Sequence, residues 1–356
     1  MRILIDIGHP AHVHYFKNFI SIMRNKGHDI LITARDKEVT HQLLNEYKLD
    51  YYSRGRGKNS AIGKLIYMLK ADWFLYKKAR KFKPDYFLSF VSPYAAQVSW
   101  LLRKPHITFD DTEHANTARK FYLPFSNVVF TPFCFMSQLG YKQISFNGFM
   151  ELLYLHKDYF KPDPDIYKQL GIEPGQPYVL LRFVSWNANH DIGQSGLDLQ
   201  TKRAIIERLK DKYRVFICAE GSMPQDLEQY RIKISPSQIH DVLACATLFI
   251  GEGATMASEC AMLGTPAIYV NSLELGYMKE QEKRGLICGF RSSAGVLDKI
   301  DELLSGEDLS ESTKQKRDIM LSEMINPTKM LVDTFENYPR SILSMRINRM
   351  YQNRFK

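Results

Sequence analysis

The chain has 356 residues and only five cysteines, Cys134, Cys218, Cys245, Cys260 and Cys288, none of which forms a CxxC pair. That spacing argues against a zinc ribbon, a dithiol redox motif and a secreted disulfide framework. No apolar run reaches the roughly eighteen residues a bilayer span needs. The opening MRILIDIGHP enters a strand-like run with no signal-peptide core, so a cytosolic protein is expected. Fixed-period repeats and low-complexity segments are also missing. An apolar fraction of 45% over this length instead predicts two well-packed domains.

Acids are nearly missing from two segments. Residues 54–83 hold ten Lys or Arg against Asp72 alone, and residues 339–356 hold five cations and no acid. The formal charge of the whole chain is +9, so the remainder is net acidic. The first segment also carries Ile62, Leu65, Ile66, Leu69, Trp73 and Tyr76 at helical spacing. A basic amphipathic helix suits an anionic membrane surface, and its charge also suits nucleic acid. An ordinary surface helix with its apolar stripe on its own core is the third reading.

Short β-branched runs alternate with helical patterns: ILIDI, DILITA, YFLSF and HITF, then YVLLRF, VFICAE, TLFI and PAIYV. Such alternation builds parallel α/β sheets. Pro162, Pro164, Pro174 and Pro177 interrupt it. The predicted organisation is therefore a doubly wound domain at 1–155, a linker at 156–177, a second doubly wound domain at 178–335 and a basic C-terminal helix at 336–356. Two such domains facing each other leave a central cleft at the carboxyl ends of their strands.

The most specific segment is TLFIGEGATMASECAMLGTPAIYV, 247–270. Gly251 and Gly253 permit a tight turn after a strand, and the helix from Ala254 starts with amides that have no internal partner. Such a terminus attracts phosphate. Glu259 lies roughly 7 Å further along the axis, within reach of a ribose whose two hydroxyls a carboxylate can accept. The bland reading leaves Glu259 on a solvated face.

Three histidines, His9, His12 and His14, crowd the loop expected after the first strand. With no acid or cysteine at ligand spacing, no metal is expected. A general base near neutral pH, with two histidines in local hydrogen bonds, is the better reading. FDDTEHANTAR, 109–119, gathers Asp110, Asp111, Glu113 and His114 at a strand end, where acid and base work or a solvated capping turn is expected.

GEGATMASECAMLGTPAI resembles the nucleotide-sugar loop of the GT-B superfamily, especially the N-acetylglucosaminyltransferase that makes peptidoglycan lipid II and the non-hydrolysing UDP-N-acetylglucosamine 2-epimerases. The resemblance runs from Met1 to about Asn326 and implies a GT-B fold of two Rossmann-like domains with a C-terminal helix. It implies that Glu259 binds the uridine ribose while the amides of Ala254, Thr255 and Met256 face the diphosphate. RIKISPSQIHDVLACATLFI looks like the segment that holds uracil, pointing to Ile234 and Ser235. GYMKEQEKRGLI sits where relatives contact the sugar, pointing to Glu280 and Gln281. Arg182, at the end of YVLLRF, matches an arginine that faces the diphosphate, with His190 and Asp191 in the loop beyond. Glu252 replaces a small neutral residue, and a carboxylate there repels a diphosphate unless it turns away.

In the same resemblance AHV places His12 in the cleft. GRGKN at 55–59 looks like a loop before a membrane-proximal helix, which favours membrane over nucleic acid and makes Arg56, Lys58, Trp73 and Lys77 candidate membrane or acceptor contacts. Glu113 matches an epimerase acid. Ser92 stands where a second acid belongs, and KFYLPFSN replaces a third, so transfer is implied ahead of epimerisation. The chain as a whole resembles an uncharacterised GT-B-like family found with surface-polysaccharide genes of bacteria and archaea. The expected function is thus metal-independent transfer of an N-acetylhexosamine from UDP to a lipid-linked or polysaccharide acceptor. His12, Glu113 or Asp111 would act as base, the UDP-sugar is a substrate, and no cofactor is expected. The expected location is the cytoplasm, on the inner face of the plasma membrane.

Overall fold

The computed structural model describes residues 1–58, 60–183, 196–219, 221–306 and 309–356. It divides into one unit of 1–159 with 324–356 and a second of 160–323. The first unit holds β1 (Arg2–Ile7), β2 (Asp29–Ala34), β3 (Tyr52–Ser53), β4 (Tyr86–Phe90), β5 (His106–Phe109), β6 (Val128–Pro132) and β7 (Gln143–Phe146). They form one parallel sheet in the order β3-β2-β1-β4-β5-β6-β7. The second unit holds β8 (Tyr178–Phe183), β9 (Arg214–Ala219), β10 (Leu248–Gly251), β11 (Ala267–Val270) and β12 (Ile287–Phe290), parallel in the order β12-β11-β10-β8-β9. The inner strands β1, β4, β5, β6, β8, β10 and β11 are buried on both faces, as their continuous apolar runs require.

In each sheet the strand order reverses once, between β1 and β4 and between β8 and β10. Loops at such a reversal splay apart and leave a crevice outside the carboxyl ends of the strands. In the first unit the helices Ala61–Phe82, Pro93–Leu101 and Asn116–Tyr122 pack side by side, and Pro10–Asn25 packs with Thr40–Glu46 and Pro327–Glu336. Right-handed crossovers account for this division into two layers.

The segment boundaries differ from the sequence expectation. Residues 160–177 are no free linker: Ile166 and Ile172 are buried, and Phe160 meets His240 edge-on in the second unit. The second unit ends at Glu323, and residues 324–335 return to the first. Asn326 caps the helix Pro327–Glu336 by accepting from the Thr328 and Lys329 amides, and Phe335 packs on Phe19 and Tyr86 at ring separations of 5.0 and 5.4 Å. Aromatic contacts of this kind are invisible to local spacing.

His106 is fully buried under the first sheet, with Nε2 on the Ser89 hydroxyl and Nδ1 on the Ser126 hydroxyl, both at 2.9 Å. Burial lowers its pKa to about 3. The unfolded chain therefore takes this proton first, so stability is intact above about pH 6.5 and falls on acidification towards pH 3. Lowering the pH from 7 to 5 should cost about 2 kcal/mol at this residue. Urea unfolding of the wild type and His106→Asn at both pH values checks this: the variant should show the shallower loss, and equal losses would contradict it.

Candidate functional site

At the β1–β4 reversal a single carboxylate, Asp6, sits within the apolar strand RILIDI, fully buried. Its oxygens accept from Arg54 Nε at 3.0 Å and Nη2 at 3.2 Å, from Thr33 at 2.8 Å and from the Ser92 hydroxyl at 2.6 Å. Arg54 also donates to the Tyr67 hydroxyl and stacks over Tyr94 at 4.6 Å. Ser92, read as a missing acid, is in fact a partner of Asp6 and the cap of the helix Pro93–Leu101. The pair was missed because an ion pair 48 residues apart leaves no local signature.

The histidines lie differently from the sequence expectation. The helix begins at Pro10, with His9 as its cap accepting from the Ala11 amide, so His12 and His14 belong to its buried face. Proline tolerates the first helical position because its missing N–H has no partner there anyway. His14 packs on Tyr154 and meets the Tyr47 hydroxyl. His12 Nδ1 accepts from the Gly8 amide at 3.2 Å, which leaves the proton of the neutral ring on Nε2. Burial first, then His9, Lys37 and Arg54, holds its pKa well below the usual range. His12 is thus neutral with Nδ1 occupied, which disfavours the expected general-base role.

The acidic turn after β5 is buried rather than solvated. Asp110 is neutralised by Arg119 Nε at 2.9 Å and by the Tyr122 hydroxyl. Asp111 accepts from the Thr112 hydroxyl, and Glu113 from the Met136 amide at 3.2 Å. Burial, and next to it the charge of Glu151, raises the Asp111 pKa well above the carboxylate range. Glu151, buried just beyond β7, is therefore a fourth acid of this cluster that the sequence reading missed. Asp111 lies near three further carboxyls, Asp110, Glu113 and Glu151, and its charged form is disfavoured, an arrangement suited to proton transfer.

In the second unit Gly251 ends β10 in register with Arg182 of β8, across the reversal. A Cβ on Gly251 would stand 2.6 Å from Arg182 Cβ and 2.7 Å from Phe249 Cζ, so the crossing demands glycine. The helix Ala254–Leu263 starts at Gly253 without a side-chain cap; Gly253, Ala254, Thr255 and Met256 are half-buried, while the rest of the helix is buried. Glu252 turns inward, holding Lys202 Nζ at 3.2 Å and the Leu197 amide at 2.8 Å. The expected clash with a diphosphate is thereby relieved.

Glu259 is not on a solvated face. It is buried, with Oε1 3.0 Å from His240 Nε2. His240 is a further residue that sequence reasoning missed. Arg182 Nη1 donates to Cys218 Sγ. Ile234 and Ser235 are half-buried, and Ser235 forms a capping box with Gln238. Glu280 pairs with Arg284 at 2.7 Å. Gln281 is fully buried and donates to Ser258 at 2.7 Å, so its expected sugar contact is corrected: it braces the helix from behind. His190 and Asp191 lie outside the described residues.

The remaining candidates lie on and before the helix Ala61–Phe82. Arg56 pairs with Asp36, Lys58 is exposed, and Lys77 lies 5.0 Å over the exposed Trp73 ring. Tyr67, Ala71, Leu75 and Ala79 form the buried stripe of this helix. Ile62 (75%), Leu65, Ile66 and Leu69 (62%) are exposed, so the reading of that stripe as core is overturned. Burial, and after it Asp6, pushes the pKa of Asp72 up to about 7, so the one acid offsets little of the helix's positive charge.

Two parallel α/β units with these reversals have the GT-B fold. Solved structures similar to this chain include the UDP-GlcNAc 2-epimerase of Neisseria meningitidis bound to UDP-GlcNAc (TM-score 0.69, 15% identity, 95% of this chain and 100% of that one). The UDP-GlcNAc 2-epimerase of Methanocaldococcus jannaschii, in complex with UDP-GlcNAc and UDP, aligns at TM-score 0.62 and 13% identity over 90% of this chain and 98% of that one. The glycosyltransferase SsfS6 of Streptomyces sp. SF2575 aligns at TM-score 0.58 and 12% identity over 94% and 99%. The chain belongs to the family described as "Protein of unknown function (DUF354)", which matches residues 1–339. An uncharacterized protein of Methanocaldococcus jannaschii is 28% identical over 291 residues, 77% of this chain and 83% of that one.

Arg54→Met should strand the Asp6 carboxylate in the interior and destabilise the first unit by about 3–5 kcal/mol. The double variant Asp6→Leu/Arg54→Met should lose less than the single one. Urea unfolding of both checks this, and a single variant as stable as wild type would contradict the charge pairing.

Proposed function

We propose that this protein is a UDP-sugar glycosyltransferase acting on a lipid-linked or polysaccharide acceptor, without a metal. The observation that carries the nucleotide part is the uncapped, half-exposed first turn Gly253–Met256 at the β8–β10 reversal, with Arg182 alongside and Glu252 turned away. Free amides, the helix dipole and a guanidinium would hold the diphosphate and stabilise it as it leaves. Glu259, oriented by His240, would accept from the ribose hydroxyls, with Ile234 and Ser235 beside the base.

Glu113 is the preferred base and Asp111, whose pKa is raised by burial and neighbouring acids, its companion acid, while His12 would offer its Nε2–H to a ligand. The exposed apolar and basic helix Ala61–Phe82 favours an acceptor met at a membrane surface. Among the described residues no helix is long and apolar enough to cross one. A second reading, 2-epimerisation of UDP-N-acetylglucosamine, is favoured by the further acid of the cluster, Glu151. Incubation with UDP-N-acetylglucosamine alone in D₂O separates the two: epimerisation exchanges the C2 hydrogen without an acceptor, and transfer leaves it untouched. A nucleic-acid role has no comparable support in the site.

Glu259→Gln should weaken UDP at least about tenfold, since a charge-assisted bond contributes on the order of 1.5–3 kcal/mol. Calorimetry with UDP and 2′,3′-dideoxy-UDP checks this; unchanged UDP affinity would remove the ribose role. Glu113→Gln should lower turnover on the order of 100-fold or more with UDP affinity retained. Neutralising Lys77, Lys78, Arg80 and Lys81 should release the protein from anionic vesicles, since each cation near such a surface contributes about 1 kcal/mol. Co-sedimentation that persists in that variant would contradict the membrane-facing helix.

A further inference from the structure

At the opposite edge of the first sheet, where the strands begin, the segments before β5, β6 and β7 and the C-terminal tail enclose a cavity of about 570 Å³. Trp100, Phe125 and Leu343 supply apolar wall, and Arg103, Lys104 and Arg346 supply charge. No acid lines the cavity, and none of these three cations makes an ion pair among the described residues. Lys142, also in the lining, is already committed: its ammonium donates to the Leu123 and Pro124 carbonyls at 2.8 and 2.7 Å. The volume is that of a pocket for a small organic ligand.

The rim is apolar and open. Trp100 (63%) and its neighbour Leu101 are exposed at the end of the helix Pro93–Leu101. Leu343 of the lining is exposed as well, and so is Ile347 (85%), one turn further along the helix Arg340–Ile347. The exposed cations Arg103, Lys104 and Arg346, beside the exposed apolar side chains of Trp100 and Leu343, complement an anion that carries hydrocarbon. A free phosphate has no use for the rim, and an indole at a wet edge is typical of membrane interfaces.

We propose that this cavity receives the phosphate headgroup of an anionic membrane phospholipid, with Trp100, Leu101, Leu343 and Ile347 entering the acyl boundary. Pro93–Leu101 packs beside Ala61–Phe82 in the same helix layer, with Trp100 and Leu101 at the end where the strands begin and Ile62, Leu65, Ile66 and Leu69 at the other. The proposal rests on residues outside the nucleotide-sugar site and stands whichever sugar chemistry holds.

The test uses dihexanoyl phosphatidylglycerol below its micelle concentration, with glycerol 3-phosphate and dihexanoyl phosphatidylcholine as comparisons, at about 0.15 M salt. The full chain should bind the anionic short-chain lipid saturably and both comparisons at least roughly tenfold more weakly. The variant R103A/K104A/R346A should lose at least roughly tenfold in that affinity while its thermal shift with UDP is unchanged. L343S/I347S should lose affinity for the lipid but not for glycerol 3-phosphate. Equal binding of glycerol 3-phosphate and the lipid, wild-type affinity in the triple variant, or an equal loss on neutralising Lys77 and Lys78 would each overturn the proposal.

Discussion

Because every strand in both sheets runs parallel to its neighbours, the loops leaving β1, β4, β5 and β6 emerge at one edge of the first sheet, and those leaving β8 and β10 at one edge of the second. Each reversal of strand order then opens a crevice beside a helix N-terminus. Gly251 against Arg182 shows how tight this is: one methyl group at the crossing would collide with two neighbours. Close approach there sets the backbone of Arg182 against the turn that opens Ala254–Leu263. The same geometry gathers Asp6, Ser92 and the acidic turn in the first unit.

Charge separates scaffold from chemistry. A buried carboxylate costs several kcal/mol unless it is paired, and most of those found here are paired. Asp6 has Arg54, Asp110 has Arg119, and Glu252 has Lys202. Asp111 instead faces further acids, and its charged form is disfavoured. Glu259 is matched with a histidine rather than a permanent cation, which leaves its carboxylate oriented but not locked into a strong salt link. These two departures fall on the strand-end and helix positions where acid chemistry and nucleotide binding are proposed.

The sequence made the architecture legible because period and punctuation are local. YVLLRF, TLFI and PAIYV became β8, β10 and β11, and the Gly251–Gly253 turn opened a helix as its spacing predicts. What stayed hidden depends on distant partners. Asp6 with Arg54, Glu259 with His240, and Glu151 beside Asp111 each join residues 19 or more apart. What disfavours His12 as a base has no signature in spacing: the amide of Gly8 occupies its Nδ1. Gln281 has the right chemistry for a sugar but points into the core. The apolar stripe of Ala61–Phe82 was readable, but its side was not: a second stripe, Tyr67, Ala71, Leu75 and Ala79, takes the core.

The central claim is that a uridine diphosphate lies on the second unit at the start of Ala254–Leu263. Hydrogen–deuterium exchange with and without UDP reads this amide by amide. The account predicts slowed exchange at 253–259 and at 231–240, with 106–113 in the first unit unchanged by the nucleotide alone. Protection confined to the first unit, or none at 253–259 at saturating UDP, would contradict it.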